Sequence, residues 1–115
     1  FNLAYWSRDR DKGSRLPVEF IVHKQTMGTA SLHGLHDRGC LKPGYLADIN
    51  LIDFEHLNVA APKMAFDLPT DARRLIQKAS GYHATIKSGE VIFRDGEPTD
   101  KLPGNLIRGP QSLNQ

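Results

Sequence analysis

Apolar and polar positions change rhythm once along the chain. Leu16, Phe20, His23 and Met27 fall at helical spacing with Ile21 beside them, so the pattern predicts a helix with one buried stripe. Pro17 suits its first turn, where the missing N–H has no partner to lose. Gly28 is expected to stop this helix, Thr29 to cap a short second one, and Gly34 to supply its left-handed exit. After Gly34 the period falls to two. Pro43-Gly44 fits the centre of a type II turn, and Ala47, Ile49 and Leu51 then alternate with Asp48 and Asn50 as in a half-buried strand. Residues 82–87 and 91–94 flank Ser88-Gly89-Glu90 and predict a β-hairpin whose second strand ends at Asp95-Gly96. Between these strands, residues 58–69 read as a loop because Pro62 and Pro69 discourage regular structure, while residues 73–79 fit a short strand or a helical turn.

The ends carry less pattern. Residues 1–14 begin apolar and aromatic (Phe1, Leu3, Tyr5, Trp6), become densely charged and close at Gly13-Ser14, as at the end of a buried element followed by a loop. From Thr99 on, Pro103, Gly104, Gly109 and Pro110 predict an extended or disordered tail. The expected fold class is α+β: an N-terminal helix or helix pair, then a small, mainly antiparallel sheet.

Composition narrows the function classes. At 115 residues the chain makes one domain and is too short for a closed eight-stranded α/β barrel. Hydrophobic content of 39% and charged content of 24% exclude a disordered class. No apolar run approaches the ~20 residues of a membrane span. A net charge of +2, with signs interleaved as in Arg8-Asp9-Arg10-Asp11, gives no nucleic-acid footprint. The single Cys40 forms no internal disulfide and fits a reducing, cytoplasmic compartment.

Three stretches, in order, resemble one superfamily. Residues 16–27 followed by Ala30-Ser31-Leu32-His33-Gly34-Leu35 are similar to the last barrel helix, and the short helix after it, of the metal-dependent amidohydrolases. The run Arg38-Gly39-Cys40-Leu41-Lys42-Pro43-Gly44-Tyr45-Leu46-Ala47-Asp48-Ile49-Asn50-Leu51-Ile52-Asp53 resembles the passage from that barrel into a small β domain. Residues 84–96 resemble the closing hairpin of its sheet. Within the superfamily, Trp6-Ser7-Arg8-Asp9-Arg10, Asp67-Leu68-Pro69, the segment Arg73 to Tyr82 and the ending Gly96-Glu97-Pro98-Thr99 point to the N-acyl-D-amino-acid deacylases (D-aminoacylases).

The resemblance implies a division into residues 1–36 as the end of a (β/α)8 barrel, 37–98 as part of a composite β-sandwich, and 99–115 as tail. The chain opens at Phe1 without an initiator Met, and is expected to be the C-terminal piece of a larger hydrolase. By resemblance the parent cleaves the amide of an N-acyl-D-amino acid, with Zn²⁺ polarising the carbonyl and an Asp taking a proton from its water. No position here matches those ligands or that Asp, so no catalytic residue, metal ligand or cofactor is assigned to this piece, which is expected to be inactive alone. Its partners are then the remainder of its own chain and, for the parent, the small-molecule substrate. An uncovered sheet and helix stripe predict self-association. Two alternatives stand beside this reading: a cyclic-amide hydrolase of the hydantoinase or dihydroorotase type, and a stand-alone β-rich binding module.

Among the tempting side chains, His33 and His36 straddle a predicted helix end and lack metal-site spacing. His23 reads as a partly buried, hydrogen-bonded histidine, and Cys40 as an inert turn residue without a positioned base. Asp48 reads as a local acceptor for turn N–H groups at a strand entry. Arg8 and Arg10 are the candidate substrate-binding residues. A loop following a barrel strand lies on the catalytic face, and a guanidinium there can grip a carboxylate with two hydrogen bonds.

Overall fold

Helices open the chain and antiparallel strands complete it, in a computed structural model that describes residues 1–113. The order is α1 (Asn2–Ala4), a π-helical turn (Tyr5–Asp9), α2 (Val18–Gln25), α3 (Met27–Leu32), then eight strands. These are β1 (Ile49–Ile52), β2 (Asn58–Val59), β3 (Lys63–Leu68), β4 (Ala72–Ile76), β5 (Ala79–Ser80), β6 (Tyr82–Lys87), β7 (Glu90–Arg94) and β8 (Glu97–Pro98). The α+β expectation is met.

The helical start differs in detail from the sequence reading. The element that precedes the loop is helical over residues 2–9: Phe1 and Tyr5, one turn apart, stack at 4.9 Å and hold the first turn together. Pro17 sits at the N-terminal boundary of α2, as expected. The break between α2 and α3 falls at Thr26 and leaves Gly28 inside α3. The Thr26 hydroxyl donates to the Val22 carbonyl (2.8 Å), and its backbone leaves the helical region (φ −118°, ψ −97°). This is the competition between a short hydroxyl side chain and the helix ladder. Thr29 is therefore interior rather than a cap; its hydroxyl donates to the Lys24 carbonyl at 2.6 Å. Gly34 does take the left-handed exit, at φ +68°. Of the predicted stripe, Ile21 is buried, Leu16 and Met27 are half-buried, and Phe20 and His23 are exposed. His23 thus departs from its expected partial burial, because it lies with Phe20 on the solvent side of α2.

The main sheet has four strands in the order β1-β6-β7-β8, all antiparallel. Ser88 and Gly89, both at positive φ (52° and 85°), form the two-residue turn joining β6 to β7, the geometry that matches strand twist. Asp95 and Gly96 repeat it at 48° and 83°, so the chain does not merely end β7 there but returns along it as β8. Pro43-Gly44 forms the expected turn, with Gly44 at φ +87° and the Tyr45 N–H donating to the Lys42 carbonyl at 3.1 Å.

Residues 58–69, expected as loop, carry β2 and β3. The two prolines bracket β3 instead of breaking it: Pro62 precedes its first residue, and Pro69 opens the turn Pro69–Asp71 after its last. The segment 73–79, left open by the sequence, is largely β4, paired with β3 into a separate two-stranded arm. Across this arm Arg74 donates to both Asp67 oxygens at 2.7 and 2.6 Å. Residues 101–113 of the tail form no helix or strand, and its last two residues lie outside those described. Its Gln111 N–H donates to the Gly34 carbonyl and its carbonyl accepts from His36, both at 2.9 Å, which brings the end of the chain back to the exit of α3.

The buried apolar set is small: Ala4, Ile21, Ala30, Leu57 and Ala84. Leu51, Met64, Phe66, Leu75 and Phe93 are exposed on the strands. The radius of gyration is 16.6 Å, against roughly 13 Å for a compact chain of this length. Accessible surface is 9031 Å², against about 6300 Å² for a folded monomer of this mass. Much apolar surface of the described strands is therefore open to solvent.

Candidate functional site

The two candidate arginines are fixed by the π-helical turn, and they end in different environments. Arg8 reaches into the loop after β1. Its Nε and Nη2 donate to the two oxygens of Asp9 at 2.6 and 3.0 Å. Nη1 donates to the carbonyls of Phe54 and of Glu55 (2.9 Å for the latter), and Nη2 to that of Leu57 at 2.7 Å. A guanidinium has five N–H groups, and here all five are engaged within the chain. The Phe54 ring also lies 5.6 Å from the Arg8 carbon. The Asp9 hydrogen bonds, ahead of any other influence, raise the Arg8 pKa, and Arg8 in turn holds the Asp9 carboxyl below the usual range. Arg8 therefore ties the helical segment to the loop carrying Leu57, the most buried apolar side chain.

Arg10 is less committed. It stacks over Trp6 at 4.7 Å, and donates through Nε to the Lys12 carbonyl at 2.5 Å and through Nη1 to that of Ser14 at 3.0 Å. Its remaining N–H groups make no hydrogen bond among the described residues. Nearby, the Ser7 hydroxyl is buried without a hydrogen-bond partner among the described residues.

A second cluster lies at the passage into the sheet. Asp48 accepts from the Ser88 N–H at 2.9 Å and from Lys87 Nζ at 2.9 and 3.2 Å, with Arg38 Nη1 at 3.6 Å. Arg38 grips both oxygens of Asp37 at 2.8 and 3.0 Å and holds that carboxyl below the usual range. Asp48 is thus an acceptor for turn N–H groups, as expected, but the turn belongs to the β6–β7 hairpin, 40 residues away. That distance hid Lys87 and Ser88 from the sequence reading; the hint available was a carboxylate at a strand entry.

His33 and His36 are both exposed, and no group of three or more His, Cys, Asp or Glu side chains converges on a metal position among the described residues. Cys40 is half-buried. Two exposed histidines missed by the sequence reading face carboxylates: His56 Nδ1 lies 2.7 Å from Asp53, and His83 Nδ1 lies 3.3 Å from Asp95.

A match to the Amidohydrolase family spans residues 3–93, from α1 into β7. The chain belongs to the amidohydrolase family. It is 34% identical over 93 residues to an N-acyl-D-aspartate deacylase of Alcaligenes xylosoxydans xylosoxydans, a stretch covering 80% of this chain and 17% of that protein. It is 30% identical over 105 residues to a D-aminoacylase of the same organism, covering 91% of this chain and 19% of that protein. The chain thus spans less than a fifth of the length of these curated relatives. No solved structure matches it. In this amidohydrolase chain the matched region includes both arginines and the Asp48 cluster.

Proposed function

We propose that this segment belongs to a hydrolase that cleaves the amide bond of N-acyl-D-amino acids, releasing a carboxylate and a free D-amino acid. The observation that carries the reading is the likeness, over most of the chain, to two proteins named as deacylases of this kind. Zinc would be the metal of that enzyme. The described residues do not fit it, since no convergent set of ligands is present, and no step is routed through a metal here. The segment's part is structural and it is inactive alone: it supplies helices and a sheet that pack on the remainder of its polypeptide. On its own it self-associates through the uncovered strands. The enzyme would work in the cytoplasm, in keeping with one unpaired Cys40; among the described residues no helix is long and apolar enough to cross a membrane.

Of the two arginines, Arg10 is the better placed to receive a substrate carboxylate, because it retains uncommitted N–H groups while Arg8 has none. The test is hydrolysis of N-acetyl-D-amino acids, their L enantiomers and hydantoins by the longer polypeptide. Turnover confined to the acyclic D substrates supports the proposal, and turnover of hydantoins alone overturns it.

A further inference from the structure

Asp95-Gly96 is the one place in the sequence where Asp or Asn precedes glycine. It occupies the turn between β7 and β8, with Asp95 held at φ +48° and its side chain exposed. Three features of that turn bear on one reaction. The Gly96 N–H makes no hydrogen bond among the described residues, whereas the Asp95 N–H is held by the His83 carbonyl at 3.0 Å. Nothing lies within 4 Å of the position a Gly96 Cβ would take, so the turn is open to solvent on that side. The His83 ring presents Nδ1 at 3.3 Å from an Asp95 carboxyl oxygen.

We propose that Asp95 is a site of backbone isomerisation to isoaspartate, with His83 as its proton-delivering neighbour. The Gly96 nitrogen attacks the Asp95 side-chain carbonyl carbon and a C–N bond forms. The carboxyl C–O bond then breaks, and the oxygen leaves as water carrying one proton from His83 and the one that the Gly96 amide gives up. One water then adds to the cyclic imide. Addition at the main-chain carbonyl breaks its bond to the Gly96 nitrogen and leaves the chain running through the side chain as isoaspartate; addition at the other carbonyl restores aspartate. No oxidant or further reactant enters.

The product places an extra methylene in the main chain of a two-residue turn, so the pairing of Arg94 with Glu97 and of Phe93 with Pro98 cannot persist. The Thr99 anchors beyond it, from its N–H to the Ile92 carbonyl at 2.9 Å and from its hydroxyl to that of Val91 at 2.8 Å, are then released. Isoaspartate-repairing carboxyl methyltransferases are the class of partner that would act on the exposed product.

The intact protein is aged at physiological temperature and neutral pH, and isoaspartate is mapped by enzymatic methyl transfer and fragmentation mass spectrometry. The expected result is isoaspartate at position 95 ahead of every other Asp, absent in Asp95→Glu, and formed several-fold more slowly in His83→Gln. A synthetic peptide of residues 91–99 supplies the unfolded rate. A folded-state rate more than about tenfold below that of the peptide, or a His83→Gln rate equal to wild type, overturns the proposal.

Discussion

Gly81, between β5 and β6, takes φ +87°, and a Cβ there would stand 2.7 Å from Leu57 Cα, 2.9 Å from Leu57 N and 3.0 Å from the Asp53 carbonyl. All three are backbone atoms, which cannot rotate aside. The same residue accepts the Asp53 N–H at 2.8 Å, so the collision falls where the loop carrying Leu57 is pinned to the sheet. For Gly81→Ala the left-handed conformation costs about 1 kcal/mol, and forced displacement of a packed backbone adds ~1–3 kcal/mol. The sum, roughly 2–4 kcal/mol, would lower a urea midpoint by about 1–2 M at the usual sensitivity of a small domain. Two further glycines separate the contributions. Gly89 has φ +85° but open space around its Cβ position, so Gly89→Ala should cost about 1 kcal/mol. Gly104 has neither constraint, and Gly104→Ala should stay within about 0.5 kcal/mol of wild type. Urea unfolding followed by far-UV circular dichroism ranks the three. Equal losses for Gly81→Ala and Gly89→Ala would refute the close approach to Leu57.

Other expectations follow from the same contacts. Arg8→Lys keeps the charge but not the five-fold fork, and should speed hydrogen exchange in the loop of residues 53–57; unchanged exchange would deny Arg8 its clamping role. Leu57→Ala should cost about 2–3 kcal/mol in urea unfolding, near the low end for buried leucines because this core is shallow. Arg38 and Arg74 hold the Asp37 and Asp67 carboxyls below their ordinary value of 3.8. A lowered folded value means that this stabilisation is complete above that ordinary value and is lost as pH falls through the lower one. Stability should therefore drop on acidification below pH ~4, and Asp37→Asn with Asp67→Asn should flatten that drop. Static light scattering at micromolar concentration should show species larger than a monomer; a clean monomer would contradict the reading of the exposed strands as unfinished packing.

The elements governed by local rules were legible in the sequence. The β6–β7 hairpin, the Pro17 boundary and the Gly34 exit need only their own residues and each is present, the hairpin turn being one residue shorter than expected because Glu90 already pairs with Lys87. What was not legible depended on partners distant in sequence or on bonds that periodicity does not register. The Thr26 hydroxyl moved the helix break two residues ahead of Gly28, and β3 formed between two prolines because β4 supplies its ladder. The burial of the helix stripe was misjudged for a related reason. A helical period says which side chains share a face, and Phe20 and His23 do so, but it does not supply the surface to cover them. At the candidate site the sequence singled out Arg8 and Arg10 together, and only the fold distinguishes a guanidinium with every N–H engaged from one with donors left.

The central claim is that this amidohydrolase chain is a structural portion of a deacylase and holds neither the metal nor the chemistry. It is tested most directly by measuring bound zinc and N-acetyl-D-amino-acid hydrolysis on the 115-residue chain and on the longer polypeptide side by side. Zinc and turnover in the longer polypeptide alone is the predicted result. Stoichiometric zinc or turnover in the 115-residue chain itself would contradict it.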